Sequence, residues 1–509
     1  MALVGRRSWS GSARRPRPVG IGRSLGAVAA AAAVPGLGHV VLGRRRTGAW
    51  VMGIFLVGAA ATAGTAAHLG RAGLLRSVVS PGVLLVVSVL CVLVMIAWMA
   101  VVMWTFVATD PRARSPREQV LCATVAVTLC VGVAVPFGAA ADLAYTQRAL
   151  LDRVFSTDPA PGPAVGVPTG PVLPARMNIL LLGSDAGPDR TGARTDTMIV
   201  ASIDGRTAAT TLFALPRNIQ HAPFPPDSPA AARFPDGFHN PRAPASGDYL
   251  LNNVAEYGRA HPTLAPAGPT TDRGVNLLMS SITTMLGLPM NHYVTVNMDG
   301  LAALIDALGG VTVDVGPDPL PIGGVTYSGR HVTPDGYVPA GVQHLDGDQA
   351  LWFARSRRNS DDYDRMGRQR CLIGALVAQK SPADVVLHFQ QVTAAAGASV
   401  TTNIPRSLLP ALLALADEHR PVLRSVAFDP DLPDPVADRG RFDPADPDVA
   451  FMRRVVRAAL APPVVPAPAS APVVPAPSSA PASRAPTATA SGAPVPAPVS
   501  VASSCVARS

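Results

Sequence analysis

Acidic and basic side chains stand at the ends of predicted β-strands in residues 177–218. They are Asp185, Arg194, Asp196 and Arg217, and they border apolar runs at 178–182, 198–203 and 209–215. The dipeptide Asp204-Gly205, between the second and third runs, is typical of a β-hairpin. Since antiparallel pairing brings the start of one strand to the end of the next, Asp196 and Arg194 should lie beside Arg217. Asp185 joins them if the first strand ends at the same edge.

Two carboxylates and two guanidiniums on one rim would suit a divalent cation that holds a phosphorylated ligand. Carboxylate oxygens suit Mg²⁺, and the fork of an arginine binds phosphate oxygens in pairs. The alternative is that these side chains are solvated strand ends joined by ordinary ion pairs. Residues 177–218 alone do not choose between the two interpretations.

A second polar cluster occupies residues 341–379. Asp346 is expected to cap a helix with Gln349 as its capping-box partner, and this helix should end near residues 355–357. A polar loop and a further helix follow, and the second helix carries basic and then apolar residues on one face. The loop holds Asp361, Asp362 and Asp364, and the face consists of Arg365, Arg368, Gln369, Leu372 and Leu376. Such a face suits a ligand with a phosphate head and an apolar tail, but a surface network above a core helix has the same pattern.

Seven short motifs carry a resemblance to a known family. They are residues 178–185 (NILLLGSD), 194–198 (RTDTM), 215–218 (LPRN), 299–315 (DGLAALIDALGGVTVDV), 343–350 (QHLDGDQA), 353–357 (FARSR) and 362–369 (DYDRMGRQ). This ordered set, spread over residues 174–380, resembles the LytR–CpsA–Psr (LCP) family of cell-wall glycopolymer ligases. The resemblance implies a phosphotransferase that moves a glycopolymer from a polyprenyl-pyrophosphate lipid to peptidoglycan and leaves a phosphodiester link.

The resemblance also implies roles for individual residues. The metal ligands would be Asp185 and Asp196, with Mg²⁺ as cofactor and Mn²⁺ as the alternative. The pyrophosphate would be gripped by Arg194, Arg217, Arg355, Arg357, Arg365 and Gln369, and further substrate contacts would come from Asn218, Asn253, Asp362 and Arg368. This assignment is physically sensible because phosphoryl transfer depends on positioning and charge neutralisation more than on covalent chemistry.

One residue departs from the family pattern. The family commonly has Asp after its Pro-Arg pair, whereas this chain has Asn218, which keeps an acceptor oxygen but removes a negative charge.

Two other functions stay open. The first alternative function is a polyprenyl-pyrophosphate hydrolase that uses water as acceptor. The second is a non-enzymatic membrane regulator of cell-envelope genes. Product analysis distinguishes the hydrolase from the ligase, and lipid binding without turnover would favour the regulator.

The N-terminal part of the chain has the composition of a membrane segment. Of all residues 48% are hydrophobic, and segments 49–67, 82–108 and 119–141 are each predicted to span a bilayer. Segment 25–42 is apolar but holds Pro35, Gly36, Gly38 and His39, so it could be re-entrant, interfacial or a span. Counting it as a fourth span would put the arginine-rich terminus outside the cell, so three spans are favoured. The net charge of +9 resides in residues 1–48, which hold nine arginines and no acid. Because positive residues stay cytoplasmic, the pattern predicts a multi-pass protein of the cell membrane with an extracytoplasmic catalytic domain and no nucleic-acid partner.

Composition divides the chain into five segments. They are a basic cytoplasmic arm (1–48), about three transmembrane helices (49–141), a linker (142–173), an extracytoplasmic LCP domain (174–460) and a disordered tail rich in Pro, Ala and Ser (461–509). The alternation of strands and helices predicts an α/β fold, an α-β-α sandwich over a mixed sheet. The resemblance to LCP proteins implies a lipid-binding pocket in this domain. Five cysteines do not indicate a disulfide framework, and a Cys371–Cys505 bridge is conceivable but not expected. Richness in Arg, Ala, Pro and Gly suggests an actinobacterial genome.

Overall fold

The structure is a computed structural model. It describes residues 20–155, 173–184, 195–242, 247–325, 330–356, 361–381, 384–385, 388, 391, 399–419, 421–435, 437–461 and 498–501. The chain divides into two compact units, Met1–Arg148 and Ala149–Ser509.

Helices make up the described part of the first unit. They are α1 (Ile21–Ala33), α2 (Leu37–Val41), α3 (Arg45–Val78), α4 (Pro81–Ala108) and α5 (Pro116–Val154), with a 3-10 turn at Pro111–Ala113. Three stretches are long and apolar enough to cross a membrane, namely Arg45–Arg71, Pro81–Ala113 and Pro116–Val154. They contain the three predicted spans. Segment 25–42 is divided between α1 and α2, because Gly36 takes a φ of 92° between them. Helix α5 continues to Val154, so the first part of the predicted linker is helical.

Eleven strands are described in the second unit. They are β1 (Arg176–Ser184), β2 (Thr195–Asp204), β3 (Thr210–Leu215), β4 (His292–Asn297), β5 (Val311–Asp314), β6 (Leu320–Val325), β7 (His331–Val338), β8 (Val342–Leu345), β9 (Val400–Thr402), β10 (Leu423–Ala427) and β11 (Val499–Ser500). Seven form one sheet in the order β11-β10-β3-β2-β1-β4-β9, and β5–β8 and β6–β7 form two small sheets. The large sheet is mixed, because β1–β4 and β3–β10 are parallel while its other pairs are antiparallel.

Helices cover both faces of the large sheet. The described helices are α6 (Pro229–Arg233), α7 (Val254–Ala260), α8 (Arg273–Leu286), α9 (Met298–Ala307), α10 (Gly347–Arg355), α11 (Asp362–Gln379), α12 (Leu409–Glu418) and α13 (Val449–Leu460), with 3-10 turns at Gly247–Tyr249, Leu251–Asn253 and Arg406–Leu408. On one face, Leu180 and Phe213 pack in the same core as α7, α8 and α13. On the other face, Ile199 and Leu212 pack with Met366 of α11. The predicted α-β-α sandwich over a mixed sheet is confirmed.

The central strands are apolar on both sides because both faces are covered. Every residue of β3 is buried, and the alternating residues of β2 divide between the two cores. A third core joins α9, α10 and α11 to β5 and β8. Helix α11 therefore contacts both the large sheet and this smaller layer.

Strand β5 pairs with β8 and not with β4, so β4, α9 and β5 do not form a parallel β-α-β unit. Residues 247–260 form a pair of 3-10 turns followed by α7. One local detail differs from the sequence prediction. Asp362 and Asp364 lie in the first turn of α11 and not in a loop, because Asp361 already caps this helix.

The C-terminal segment also differs from the predicted tail. Strand β11 pairs antiparallel with β10 at the edge of the large sheet. Cys371 is disulfide-bonded, whereas Cys91, Cys122 and Cys130 are free. The expectation of no disulfide is therefore wrong for Cys371, and Cys505 lies outside the described residues.

Candidate functional site

The β2–β3 hairpin places an acidic and a basic residue together at one edge of the sheet. Met198 pairs with Leu215, so Asp196 lies two residues before this pair and Arg217 two residues after it. Arg217 Nη1 donates to Asp196 Oδ1 at 2.8 Å. This contact is the one that the antiparallel pattern predicts.

Helix α11 brings a second carboxylate to Arg217. Asp361 caps the helix by accepting two backbone N–H groups, which leaves Asp362 in its first turn. Asp362 Oδ2 accepts from Arg217 Nε at 2.7 Å. Burial alone would lower the pKa of Arg217, but the carboxylates of Asp196 and Asp362 outweigh burial and raise that pKa. Arg217 is therefore a permanently charged group, held in one orientation by two carboxylates.

Arg365 belongs to the same network and is almost completely buried. Its side chain is 3% exposed, and its Nη1 lies 3.6 Å from Asp362 Oδ1. Its Nη2 donates to the backbone oxygen of Asp196 at 3.3 Å. One turn of α11 thus connects the start of β2 to the end of β3.

Helix α10 supplies a third guanidinium. The predicted capping box forms, because Asp346 accepts from the N–H of Gln349 and the Gln349 side chain accepts from the N–H of Asp346. At the other end of the helix, Arg355 lies over the ring of Trp352, with its Cζ 4.6 Å from the ring centroid. Cation–π contact of this kind orients the guanidinium without removing its charge.

Arg368 and Gln369 join α11 to the end of α10. Arg368 Nε donates to the backbone oxygen of Phe353 at 2.8 Å, and its Nη2 donates to that of Ser356. Gln369 Nε2 donates to the backbone oxygen of Ala354 at 3.2 Å. The last carbonyl groups of a helix have no partner within the helix, so these bonds complete its C-terminus. Burial lowers the pKa of Arg368.

Asn218 connects the end of β3 to α11 through a neutral hydrogen bond. Its Nδ2 donates to the hydroxyl of Tyr363 at 3.3 Å. An aspartate at this position could only accept from that hydroxyl. Burial raises the pKa of Tyr363 more than the hydrogen bond from Asn218 lowers it, and neighbouring carboxylates add to the increase. Tyr363 therefore keeps its proton at neutral pH.

The Asn252-Asn253 pair braces the same strand ends from a 3-10 turn. Thr195 Oγ1 donates to the backbone oxygen of Asn252 at 3.1 Å. The N–H of Asn252 donates to the backbone oxygen of Arg217 at 3.2 Å. Asn253 Nδ2 donates to the backbone oxygen of Gly247 at 2.7 Å. The substrate contact of Asn253 stays a prediction.

One cavity of about 570 Å³ joins the charged network to an apolar interior. Its polar lining includes Ser184, Asp196, Arg217, Arg355, Arg365 and Gln369. Its apolar lining includes Leu181, Ile199, Val294, Val296, Leu301, Leu304, Leu351, Trp352, Leu372, Ile373 and Leu376. Within the described residues, Asn218, Asn253, Asp362 and Arg368 do not line this cavity. Asp362 and Arg368 contact residues that do, since Asp362 pairs with Arg217 and Arg368 donates to Ser356.

Three predicted site residues, Asp185, Arg194 and Arg357, lie outside the described residues. Their sequence neighbours Ser184 and Ser356 line the cavity. Among the described residues, no group of three His, Cys, Asp or Glu side chains could hold a metal ion. A divalent ion at Asp196 would therefore need Asp185, oxygens of the ligand, or both.

The sequence pattern did not distinguish the residues that line the apolar part of the cavity from ordinary core residues. Strand β4 contributes Val294 and Val296, and α9 contributes Leu301 and Leu304. These residues have the spacing of ordinary core positions. Ile373 follows Leu372 on α11, and its place in the lining follows from contact with the sheet and not from helical spacing.

Comparison with known proteins bears on this site. Residues 174–423 match the model of the LytR_cpsA_psr family. The chain contains a LytR_cpsA_psr family domain. The predicted resemblance is confirmed.

Individual relatives are distant. Over 233 residues the chain is 29% identical to the polyisoprenyl-teichoic acid–peptidoglycan teichoic acid transferase TagU of Enterococcus faecalis. This match covers 45% of this chain and 61% of TagU. Over 249 residues the chain is 27% identical to Biofilm regulatory protein A of Streptococcus mutans, and this match covers 47% of this chain and 53% of that protein. The crystal structure of B. subtilis TagV has a TM-score of 0.37 at 20% identity and covers 55% of this chain and 96% of that one. This chain thus spans less than two thirds of the length of either sequence relative.

Proposed function

We propose that this protein is a phosphotransferase that moves a glycopolymer phosphate from a polyprenyl-pyrophosphate carrier to peptidoglycan. The observation that carries the proposal is the single cavity that joins a guanidinium-rich end to an apolar interior. A polyprenyl pyrophosphate has the same division between a charged head and a long hydrocarbon tail. The TagU relative is named as a transferase of this kind.

The charge balance of the polar end favours an anion. Arg217, Arg355 and Arg365 are set against the carboxylates of Asp196 and Asp362, so three positive charges face two negative charges. The excess suits a pyrophosphate, and guanidinium forks match phosphate oxygens in pairs. Because Arg365 is almost completely buried, water screens its charge only weakly.

The apolar part of the cavity suits the prenyl tail. Its lining side chains come from the sheet on one side, including Leu181 and Ile199, and from α11 on the other, including Leu372, Ile373 and Leu376. Each buried methylene group contributes about 0.8 kcal/mol, so a few isoprene units would give strong binding. The head would then lie where α11 carries Arg365.

In the proposed reaction, a hydroxyl of the acceptor glycan attacks the phosphorus atom next to the sugar. A new P–O bond forms, the bond from that phosphorus to the bridging oxygen breaks, and polyprenyl phosphate leaves. The hydroxyl proton passes to solvent or to a base. Arg217 and Arg365 would neutralise the charge that builds up on the phosphoryl oxygens. Because Asp196 and Asp362 both pair with Arg217, its guanidinium is already oriented and need not move during phosphoryl transfer.

A divalent cation, Mg²⁺ or alternatively Mn²⁺, is part of the proposal. Asp196 and Asp185 would hold it. Mg²⁺ is commonly bound by one or two carboxylates together with substrate phosphates, so the carboxylate at the cavity fits this role. When bound, the ion would polarise the phosphoryl group and stabilise the departing phosphate.

The proposal includes a location in the cell envelope. Among the described residues, three helices are long and apolar enough to cross a membrane, and nine arginines precede residue 49 in the sequence. Because arginines beside apolar spans stay cytoplasmic, an odd number of spans would put the family domain outside the cell membrane. The protein would then be multi-pass and would meet both the lipid carrier and the wall.

The test uses the full-length protein in detergent micelles. It is incubated with a synthetic polyprenyl-pyrophosphate oligosaccharide, Mg²⁺ and peptidoglycan fragments, and the products are identified by mass spectrometry. The expected product is a glycan–phosphate–muropeptide adduct that Asp196→Ala and Arg365→Ala abolish. Release of polyprenyl phosphate without an adduct would instead indicate the hydrolase. Lipid binding without turnover would indicate a regulator.

A further inference from the structure

Seven arginines lie at one end of the helices of the first unit, and we name them the basic patch. They occupy three points of the chain, namely the start of α1, the junction of α2 and α3, and the junction of α4 and α5. They are Arg23, Arg44, Arg45, Arg46, Arg112, Arg114 and Arg117. Between residues 20 and 119 the sequence has two carboxylates, Asp110 and Glu118, so positive charge prevails at this end.

Two of the arginines hold the three points together. Arg23 Nε and Nη2 donate to the backbone oxygen of Val41, the last residue of α2, at 3.2 and 2.9 Å. Arg114 Nη2 donates to Ser24 Oγ in α1, and its Nη1 donates to Cys122 Sγ at 3.2 Å. The first turn of α1 therefore contacts both junctions, and the basic patch is one surface and not three separate groups.

The other five arginines of the patch are exposed, and their charges are not neutralised. Within the described residues, none of their guanidiniums takes part in a hydrogen bond or an ion pair. These five are Arg44, Arg45, Arg46, Arg112 and Arg117. Of the two nearby acids, Glu118 is already occupied, because the N–H and the hydroxyl of Ser115 donate to it at 3.3 and 3.0 Å. Arg71 and Arg76, at the opposite end of α3, each have a partner.

An apolar surface that faces outward begins next to the basic patch. Trp50 lies one turn after Arg46 in α3 and is 76% exposed, and Trp104 lies one turn before the end of α4 and is 47% exposed. Exposed aliphatic side chains such as Ile54 and Val57 continue along α3. Tryptophan is enriched where membrane-spanning helices leave the hydrocarbon. Because α3 and α4 hold segments that are long and apolar enough to cross a membrane, the patch would lie at the level of the lipid headgroups.

We propose that the basic patch binds the headgroups of anionic phospholipids in the cytoplasmic leaflet. Guanidinium forks bind phosphate oxygens in pairs, and clusters of arginine beside membrane helices attract anionic lipids. A soluble polyanion would match the charge alone, whereas a phospholipid matches both the charge and the apolar surface beside it. Arginines that served only to orient the helices would need no common surface. This inference rests on the membrane location within the proposed function and not on the proposed reaction.

The test measures the lipid selectivity of the full-length protein in vesicles. The protein is reconstituted in phosphatidylcholine with a rising fraction of phosphatidylglycerol that is brominated on its acyl chains, and bromine quenches the fluorescence of the tryptophans that it contacts. Brominated phosphatidylcholine is the reference. Half-maximal quenching should need at least about fivefold less phosphatidylglycerol, which is the effect of a single arginine near a lipid surface. Equal quenching by the two lipids would overturn the proposal.

Two pairs of arginines locate the bound lipid. Arg112→Gln with Arg117→Gln removes two charges from the patch and should abolish most of the preference for phosphatidylglycerol. Arg71→Gln with Arg76→Gln removes two charges from the opposite end of α3 and should leave the preference unchanged. Arg112→Lys with Arg117→Lys keeps both charges and should keep the preference. Equal losses in the two glutamine pairs would refute the position of the site, and an equal loss in the lysine pair would contradict recognition by charge.

Extraction of the same vesicles with alkaline carbonate distinguishes this inference from the proposed location. Wild-type protein that carbonate releases would contradict the membrane location, and this inference with it. Wild-type protein that stays inserted but does not prefer phosphatidylglycerol would overturn this inference alone. If a variant fails to insert, the comparison of the two brominated lipids in the wild-type protein still decides.

Discussion

Replacing Arg365 by glutamine should weaken the binding of lipid pyrophosphate, whereas replacing Arg368 by glutamine should mainly destabilise the domain. The two residues lie one turn apart on α11. Arg365 lines the cavity, and Arg368 donates to the backbone oxygens of Phe353 and Ser356. Arg368→Gln is therefore the matched control, since it removes the same charge from the same helix.

The expected magnitudes follow from these contacts. A hydrogen bond to a charged group contributes about 1.5–3 kcal/mol, and about 1.4 kcal/mol corresponds to a tenfold change in Kd. Arg365→Gln should therefore raise the Kd for geranylgeranyl pyrophosphate by roughly 10- to 150-fold. Arg368→Gln leaves two backbone oxygens of α10 without their partner, at a cost of about 1–3 kcal/mol of folding free energy.

Calorimetric titration of the full-length protein in micelles measures both variants. Geranylgeranyl monophosphate serves as the ligand control, because the loss caused by Arg365→Gln should be smaller for a head with one phosphate. Thermal unfolding of each variant shows whether its folded population accounts for the change. Wild-type affinity in Arg365→Gln together with lost affinity in a stably folded Arg368→Gln would refute the reasoning.

Three further predictions concern pH, the apolar cavity and the metal. Burial lowers the pKa of His292 to about 4, so the neutral ring that suits the folded state is present above pH 6.5 and is protonated towards pH 4. Urea unfolding should show that the free energy of unfolding falls by about 3 kcal/mol between these two pH values. His292→Gln should remove most of this pH dependence. Leu376→Asp should raise the Kd for geranylgeranyl pyrophosphate at least about tenfold but scarcely change that for dimethylallyl pyrophosphate, because only the long tail extends from Arg365 as far as Leu376. Equal losses in titrations of both ligands would contradict this. Chelation should stop transfer, Mg²⁺ or Mn²⁺ should restore it, and Asp196→Asn should raise the Mg²⁺ concentration needed for half-maximal rate; turnover unaffected by chelation would remove the metal from the account.

The contacts that follow from local patterning are those that could be predicted from the sequence. The Asp204-Gly205 signal locates the connection between β2 and β3, which is a longer loop closed by hydrogen bonds from Asp204 to Ala209 and from Ala208 to Asp204. The antiparallel register of the two strands brings Asp196 to Arg217. The capping box of α10 is likewise local, because Asp346 and Gln349 are three residues apart. Such features depend on backbone geometry over a few residues, which the residue types specify directly.

Contacts across long stretches of chain could not be derived in this way. Asp362 is 145 residues from Arg217, and it was associated with the site only through the family resemblance. Helical spacing put Arg368 on one face with Arg365, but the end of α10 lies against that part of the helix and takes up its donors. Strand β11 escaped prediction because only two residues form it and the preceding residues are rich in Pro and Ala.

The central claim is that a single cavity holds the pyrophosphate near Arg365 and the prenyl tail along α11. Photolabelling tests it most directly, with the full-length protein in micelles and a prenyl pyrophosphate that carries a diazirine near the end of its tail. After digestion, the label should be found in the tryptic peptide 371–380, which holds Leu372, Ile373 and Leu376. Unlabelled prenyl pyrophosphate should suppress that label, and Arg365→Gln should reduce it. Competable label found only in the N-terminal apolar helices, with none in peptide 371–380, would contradict the account.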